Sequence, residues 1–117
     1  MSNYESLTLS TRAAGVMQIT MSRPDIFNAF DETMIAELDA AFEQCVVDDS
    51  VRVIVLAGEG KHFSAGADLK WMQRASEASV EWNLQDARTF AGMLGRIDAC
   101  PKPVVARVQG GALGGGA

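Results

Sequence analysis

Val51-Arg52-Val53-Ile54-Val55-Leu56-Ala57, followed across Gly58-Glu59-Gly60 by Lys61-His62-Phe63-Ser64-Ala65-Gly66-Ala67-Asp68-Leu69-Lys70, decides the fold of this chain. Val53 to Leu56 are apolar at both parities. A strand tolerates that only when both faces are covered, as in a parallel sheet under helices. The segment after it is built of small residues and closed by an acid and a base. Gly66 can take backbone angles closed to other residues, and Ala65 and Ala67 offer little side chain to block a ligand. Such a loop exposes main-chain N–H dipoles that are fixed before any reaction, which suits a developing oxyanion. The plainer alternative is a tight turn before a helix, with small residues there only for packing.

Towards the N-terminus, Leu7–Thr11 and Met17–Met21 alternate apolar and polar residues, the period of half-buried strands. Arg12 to Gly15 reads as a hairpin connection between them. Arg23-Pro24 ends the second strand, because proline cannot donate to a ladder. Asp31 then opens an amphipathic helix with Met34, Leu38, Ala41, Phe42 and Cys45 on one face. Asp31 and Glu32 suit its N-cap and the positive end of its dipole, and Asp48-Asp49-Ser50 ends it.

Towards the C-terminus, Trp71 to Ser79 reads as a mixed, mobile segment that includes Glu77. A long helix is predicted from about Val80 to Ile97, with Val80, Leu84, Ala87, Ala91 and Leu94 on its inward stripe. Gly92 and Gly95 weaken it by roughly 1 kcal/mol each relative to alanine, or mark close approach of another backbone. Pro101 and Pro103 stop the helix. Val104–Val108 is the next strand, and a glycine-rich run closes the sequence. A hairpin followed by alternating strands and helices implies an α/β fold with right-handed crossovers.

The 117 residues suffice for one domain with a real core. A net charge of -5 with scattered basic residues argues against a general nucleic-acid binder. Cys45, Cys100 and the only histidine, His62, fit no metal-ligand spacing, so no metal is expected. The two cysteines read as reduced core thiols of a cytoplasmic protein. Met1 to Ser6 lacks the pattern of a secretory leader. No apolar run reaches the ~18–20 residues that span a bilayer, so no membrane partner is expected.

Gly110-Gly111-Ala112-Leu113-Gly114-Gly115-Gly116-Ala117 is the second glycine loop to follow a strand. It is not a phosphate loop, because Gly116 and Ala117 stand where Lys and Ser or Thr are needed. Neither loop has the dinucleotide spacing G-x-G-x-x-G. A serine-hydrolase elbow would need glycine at position 62 and a histidine other than His62. What is left is two loops, each able to offer a backbone donor. Two donors converging on one oxygen would form an oxyanion hole, worth about 3–4 kcal/mol of barrier per donor.

Four motifs carry a resemblance to a known family: Arg23-Pro-Asp-Ile-Phe-Asn-Ala29, Val53-Ile-Val-Leu-Ala-Gly58, Phe63-Ser-Ala-Gly-Ala-Asp-Leu-Lys70, and Lys102–Gly110 running into Leu113-Gly-Gly-Gly116. In order and spacing they resemble the enoyl-CoA hydratase/isomerase, or crotonase, superfamily over essentially the whole chain. The resemblance implies an α/β fold of crotonase-like repeated ββα units. Residues 1–117 would be a single partial domain of it, breaking off in the second glycine loop. It further implies an acyl-CoA thioester as substrate, no separate cofactor, and trimers or paired trimers in full-length relatives. By motif position, the backbone N–H groups of Ala67 and Gly115 would be the oxyanion donors. Ala65, Asp68, Leu69 and Lys70 would line the CoA and pantetheine path, and Asp25, Ile26, Phe27 and Ala29 would lie near its nucleotide end. Asp25 stands where relatives often carry a basic residue, a departure that bears on phosphate contact there. The glutamates that handle water and protons in hydratases would fall after Ala117. Leu69-Lys-Trp-Met72 is most similar to hydratases of branched-chain or methylglutaconyl-type acyl-CoAs. Isomerases share the same first half, and a catalytically dead thioester-binding product is a further reading.

Individual residues have plainer readings. Asp68, at a predicted helix start, is better read as a cap than as a base. His62 has the ionisation for proton transfer but reads as a surface residue. Lys70 is either a phosphate partner or solvated. Trp71 and Met72 line an acyl pocket or belong to the core. Glu77 and Glu81 are read as solvated.

Overall fold

The computed structural model describes residues 4–117; the first three residues, part of the stretch that lacks a secretory pattern, lie outside them. In chain order the elements are β1 (Leu7–Ala13), β2 (Val16–Met21), α1 (Glu32–Val47), β3 (Val53–Gly58), α2 (Leu69–Glu77), α3 (Val80–Asp98) and β4 (Val104–Arg107). Short 3-10 turns occupy Pro24–Ile26 and Gly114–Gly116. The predicted α/β class holds. One sheet runs in the order β1-β2-β3-β4. β1 and β2 form an antiparallel hairpin with Leu9 opposite Ile19, and Gly15 supplies its turn at φ +77. β2 pairs parallel to β3 with Ile19 opposite Leu56, and β3 pairs parallel to β4 with Leu56 opposite Ala106. β1, β2 and α1 make one ββα unit, and two helices separate β3 from β4.

β2, β3 and β4 point the same way, so the segments leaving them (22–31, 59–68 and 108–117) emerge at one edge of the sheet. That edge, outside the carboxyl ends of parallel strands, is where open α/β sheets hold ligands.

α1 forms as its pattern requires. The Asp31 side chain accepts the Met34 amide at 2.9 Å, capping the helix. Its buried face is Met34, Ile35, Leu38, Ala41, Phe42 and Cys45. These join Ile19, Met21 and Ile54 of the sheet in one core, at about 1.5–3 kcal/mol for each large side chain buried. The last turn of α1 has no basic residue of its own. Lys102 supplies the charge from across the molecule, its Nζ donating to the Cys45 and Asp48 carbonyls at 2.7 and 2.8 Å. In β3, Ile54, Val55 and Ala57 are buried, so both faces are at least partly covered as expected. Cys45 is buried, Cys100 half-buried, and both are free thiols. No helix among the described residues is long and apolar enough to cross a membrane.

Two expectations fail. The segment from Trp71 to Ser79 is not irregular, because Leu69–Glu77 is helix α2. The helix is short, nine residues, with Trp71 as its buried residue, and both of its ends are tied. Asp68 caps the start through the Lys70 and Trp71 amides, and Asn83 Nδ2 donates to the Ala75 carbonyl near its end. The second failure concerns α3, whose span is right but whose inward stripe is not. Val80, Leu84, Ala87, Ala91 and Leu94 are exposed, and the helix instead turns Phe90, Met93, Ile97 and then Cys100 to the core. Two apolar stripes compete on this helix, and the one with the larger, more adaptable side chains faces α1. The Arg96–Asp39 ion pair at 2.7 Å spans the two helices beside that contact. Gly92 and Gly95 have open space around them rather than a closely packed backbone.

Candidate functional site

The three segments that leave β2, β3 and β4 lie side by side, with the Phe63–Asp68 segment in the middle. On one flank the Ala65 amide donates to Phe27 O, the Phe30 amide to Gly66 O and the Asp68 amide to Phe30 O, at 2.9, 2.7 and 2.7 Å. On the other flank the Phe63 amide donates to Gln109 O, the Ser64 amide to Gly111 O and the Leu113 amide to Ser64 O, at 2.9, 3.2 and 3.0 Å. The backbone pattern aims one amide. Gly66 O faces Phe30, and the peptide joining Gly66 to Ala67 is trans, so Ala67 N–H points the opposite way. It therefore faces the flank along which 109–116 runs. Neither the Ala67 nor the Gly115 N–H has a hydrogen-bond acceptor among the described residues. Gly66 sits at φ +89, as expected for a residue that needs glycine, and a Cβ there would meet Leu113 O at 2.9 Å. At Gly115 a Cβ would reach Phe90 Cζ at 2.7 Å and Phe30 Cε2 at 3.6 Å. Phe30 is also the backbone bridge partner of Ala67, so both residues with free amides neighbour Phe30, Gly115 by its ring and Ala67 by its main chain.

Asp25, Ile26, Phe27, Ala29, Ala65, Asp68, Leu69 and Lys70, the residues singled out in sequence for ligand contact, all line a single cavity of about 640 Å³, together with Ala67, Arg23 and Met72. Gly115 is not on that wall. It lines a second, largely apolar cavity of about 540 Å³ between the sheet and α3. The first cavity has an apolar lip of exposed Phe27, Leu69 and Met72. Trp71 faces away into the core, edge-on to Phe90 at 5.5 Å between ring centres. Its Nε1 is buried with no hydrogen-bond partner among the described residues.

Electrostatically, Asp68 is committed. Burial by itself would raise its carboxyl, but the Trp71 and Lys70 amides and the Arg23 guanidinium outweigh that and hold it below the usual carboxylate range. Arg23 ties the cavity wall together, bonding Asp31 at 3.1 Å, Asp68 at 3.3 Å and the Ala29 carbonyl at 2.9 Å. Among the described residues no group of three or more His, Cys, Asp or Glu side chains is placed to hold a metal.

The structural roles of four residues here escaped the sequence reading. Asn28 is fully buried; its Nδ2 donates to the carbonyls of Glu59, His62 and Phe63, and its Oδ1 accepts the Arg23 amide. Phe27 and Asn28 both lie at positive φ, 55 and 54. For Asn that region is tolerated, whereas for Phe it is strained. His62, read as a surface residue, accepts the Gly111 amide on Nδ1. Ser64 is fully buried where the three segments meet. The sequence held one usable signal, the asparagine between Phe27 and Ala29, because Asn is enriched at left-handed positions.

Comparison with known proteins identifies relatives of the whole chain. The family model for enoyl-CoA hydratase/isomerase matches residues 11–117. A mitochondrial Delta(3,5)-Delta(2,4)-dienoyl-CoA isomerase of Mus musculus is 34% identical, over 97% of this chain and 37% of that protein. A protein described as a probable enoyl-CoA hydratase of Rhizobium meliloti is 41% identical, over 97% of this chain and 42% of that one. The crystal structure of an enoyl-CoA hydratase from Shewanella pealeana superposes with a TM-score of 0.92 at 38% identity, over 96% of this chain and 42% of that chain. The chain thus spans about two fifths of the length of such relatives.

Proposed function

Because the chain belongs to the enoyl-CoA hydratase/isomerase family, we propose that it is the acyl-CoA-binding portion of an enoyl-CoA hydratase-type enzyme. The observation that carries this reading is the gathering of eight ligand-contact candidates and Ala67 around one cavity. The pantetheine arm would lie along Ala65, Leu69 and the apolar lip. The nucleotide end would lie by Asp25, Ile26, Phe27 and Ala29, with Lys70 and Arg23 as the cations within reach of phosphate. The thioester carbonyl would rest against the Ala67 N–H, with the Gly115 N–H as the second donor across Phe30.

In that pose, water adds to C3 of the 2,3-double bond and the electron pair moves through C2 to the carbonyl, giving an enolate oxyanion. Two preorganised amides favour the enolate over the ground-state thioester, and loss of one costs about 10²–10³ in rate in comparable sites. Protonation at C2 completes hydration. Asp68 does not serve that step well, since it is held ionised as a helix cap. The proton-transferring groups are assigned to the part of the family's chain that residues 1–117 do not span. A double-bond isomerase uses the same enolate and differs in where the proton returns. The likeness to the dienoyl-CoA isomerase favours that second reading.

Titration of crotonyl-CoA and of CoA into the purified chain, followed by thermal melting, tests the binding claim. Crotonyl-CoA should raise the melting temperature more than CoA does, without turnover. No shift with millimolar crotonyl-CoA would overturn the reading, and measured hydration by residues 1–117 would overturn the assignment of proton transfer elsewhere.

A further inference from the structure

We propose that Ser64 is a positioning residue, aiming the Ala67 amide at the thioester oxygen through the backbone of Gly66. Its polar atoms all have partners at the meeting point of the three segments. The Ser64 N–H donates to Gly111 O at 3.2 Å, and Ser64 O accepts the Leu113 amide at 3.0 Å. The hydroxyl donates to Asn28 O at 3.0 Å and accepts the Gly66 amide at 3.2 Å. The residue is fully buried, and a Cβ on Gly116 would come within 2.6 Å of Ser64 Cβ.

The consequence falls on one peptide unit. Gly66 N–H is held by Ser64 Oγ and Gly66 O by the Phe30 amide at 2.7 Å. With both ends of Gly66 fixed at φ +89, the plane of the next peptide is set, and Ala67 N–H can face only the 109–116 side. Glycine is the residue whose backbone most readily drifts when untied. With the Gly66 amide free, the Gly66 O to Phe30 bond would be left to hold that plane alone, so the donor would spread over a wider range of directions around one oxygen. Preorganisation of this kind separates a transition-state donor from an ordinary exposed amide. Because Ser64 also pairs with Gly111 and Leu113, it sets the register of the loop that carries Gly115.

The inference rests on the reading that Ala67 N–H meets a thioester oxygen, and the experiment separates the two. Affinities of crotonyl-CoA and CoA are measured for wild type, Ser64→Ala and Ser64→Cys, since CoA has the same nucleotide and arm without the carbonyl. Ser64→Ala should lose about five- to tenfold of the preference for the thioester, the worth of one hydrogen bond, with CoA affinity unchanged. Ser64→Cys, which keeps a weak acceptor, should fall between. Equal weakening of both ligands would mean that Ser64 only holds the cavity, and overturns the proposal. An unchanged preference in Ser64→Ala overturns it too and leaves the functional reading standing. A wild type that does not prefer the thioester removes both. If Ser64→Ala does not fold, amide exchange in the wild type decides. Gly66 N–H should be protected and Ala67 N–H not, with Ala67 gaining protection on adding crotonyl-CoA but not CoA; equal protection of the two amides in the free chain contradicts the proposal.

Discussion

The Gly111 amide donates to His62 Nδ1 at 2.8 Å, so the one histidine of the chain joins the two glycine loops. The bond requires an unprotonated Nδ1, which fixes the tautomer with hydrogen on Nε2. His62 also packs edge-on against Phe27 at 5.1 Å, on the lip of the ligand cavity. The two glycine loops pass so close here that a Cβ on Gly110 would overlap Lys61 O and come within 2.7 Å of His62 Nδ1. His62→Ala should therefore lower stability by about 1 kcal/mol and speed exchange of the Gly111 amide. His62→Asn, whose Oδ1 can accept in place of Nδ1, should retain most of both. Urea denaturation and hydrogen exchange read the two effects, and an Ala variant with an unchanged Gly111 exchange rate would refute the link.

Gly66 and Gly115 should not tolerate alanine equally. At Gly66 the new Cβ meets a backbone carbonyl, Leu113 O, at 2.9 Å, and the residue sits at φ +89. Left-handed backbone alone costs about 1–2 kcal/mol for an L-residue, and a carbonyl in a paired loop cannot step aside. At Gly115 the clash is with Phe90 Cζ at 2.7 Å, and the ring can tilt away. Gly66→Ala should be the more destabilising by about 1 kcal/mol or more. The reverse order in chemical denaturation would mean that the Phe90 ring is locked.

These contrasts show what was legible in the sequence. The doubly apolar run at Val53–Leu56 announced a covered parallel strand, and the glycine spacing announced loops that leave amides free. Both are local properties of the chain. The eight ligand-contact candidates could be named from motifs because they sit in two short stretches, Asp25–Ala29 and Ala65–Lys70, which one pair of loops brings together. What could not be read were contacts between segments distant in sequence. Asn28 reaches Phe63 and His62 reaches Gly111 across 35 and 49 residues. Asp68 was read as a helix cap, yet α2 after it was missed, because the segment is only nine residues long and the Asn83 side chain that holds its end comes from the next helix.

Asp68 should give the fold an acid-sensitive component. Its carboxyl is lowered from the ordinary 3.8 when folded, so in that range the unfolded chain binds the proton more readily and stability rises with pH. The contribution is complete above the ordinary value and is lost as pH falls through the lowered folded one. Protonation would also release Arg23, which bonds Asp68 at 3.3 Å. Asp68→Asn keeps a good helix cap but removes the charge, so its stability should vary less with pH across the acid range. Stability curves for both proteins by urea denaturation from neutral pH downward check this. Parallel curves would mean that Asp68 does not contribute to the acid sensitivity.

α3 offers the sharpest test of the corrected core. Periodicity allowed either of its apolar stripes to face inward, and the structure turns in the one that carries Met93. Met93 is 1% exposed, at a position where α3 meets α1 and the sheet-facing cavity. Leu84, on the other stripe, is 50% exposed. Met93→Ala should cost about 2–5 kcal/mol through lost burial and the space left behind. Leu84→Ser should stay within about 0.5 kcal/mol, as surface changes do. The same pair of variants distinguishes the two orientations of the helix: if Leu84→Ser proves the more damaging, α3 is rotated by roughly half a turn from the orientation that buries Met93, given about 3.6 residues per turn. In that case Phe90 no longer backs Gly115, and the second amide donor loses the ring that holds its loop in place.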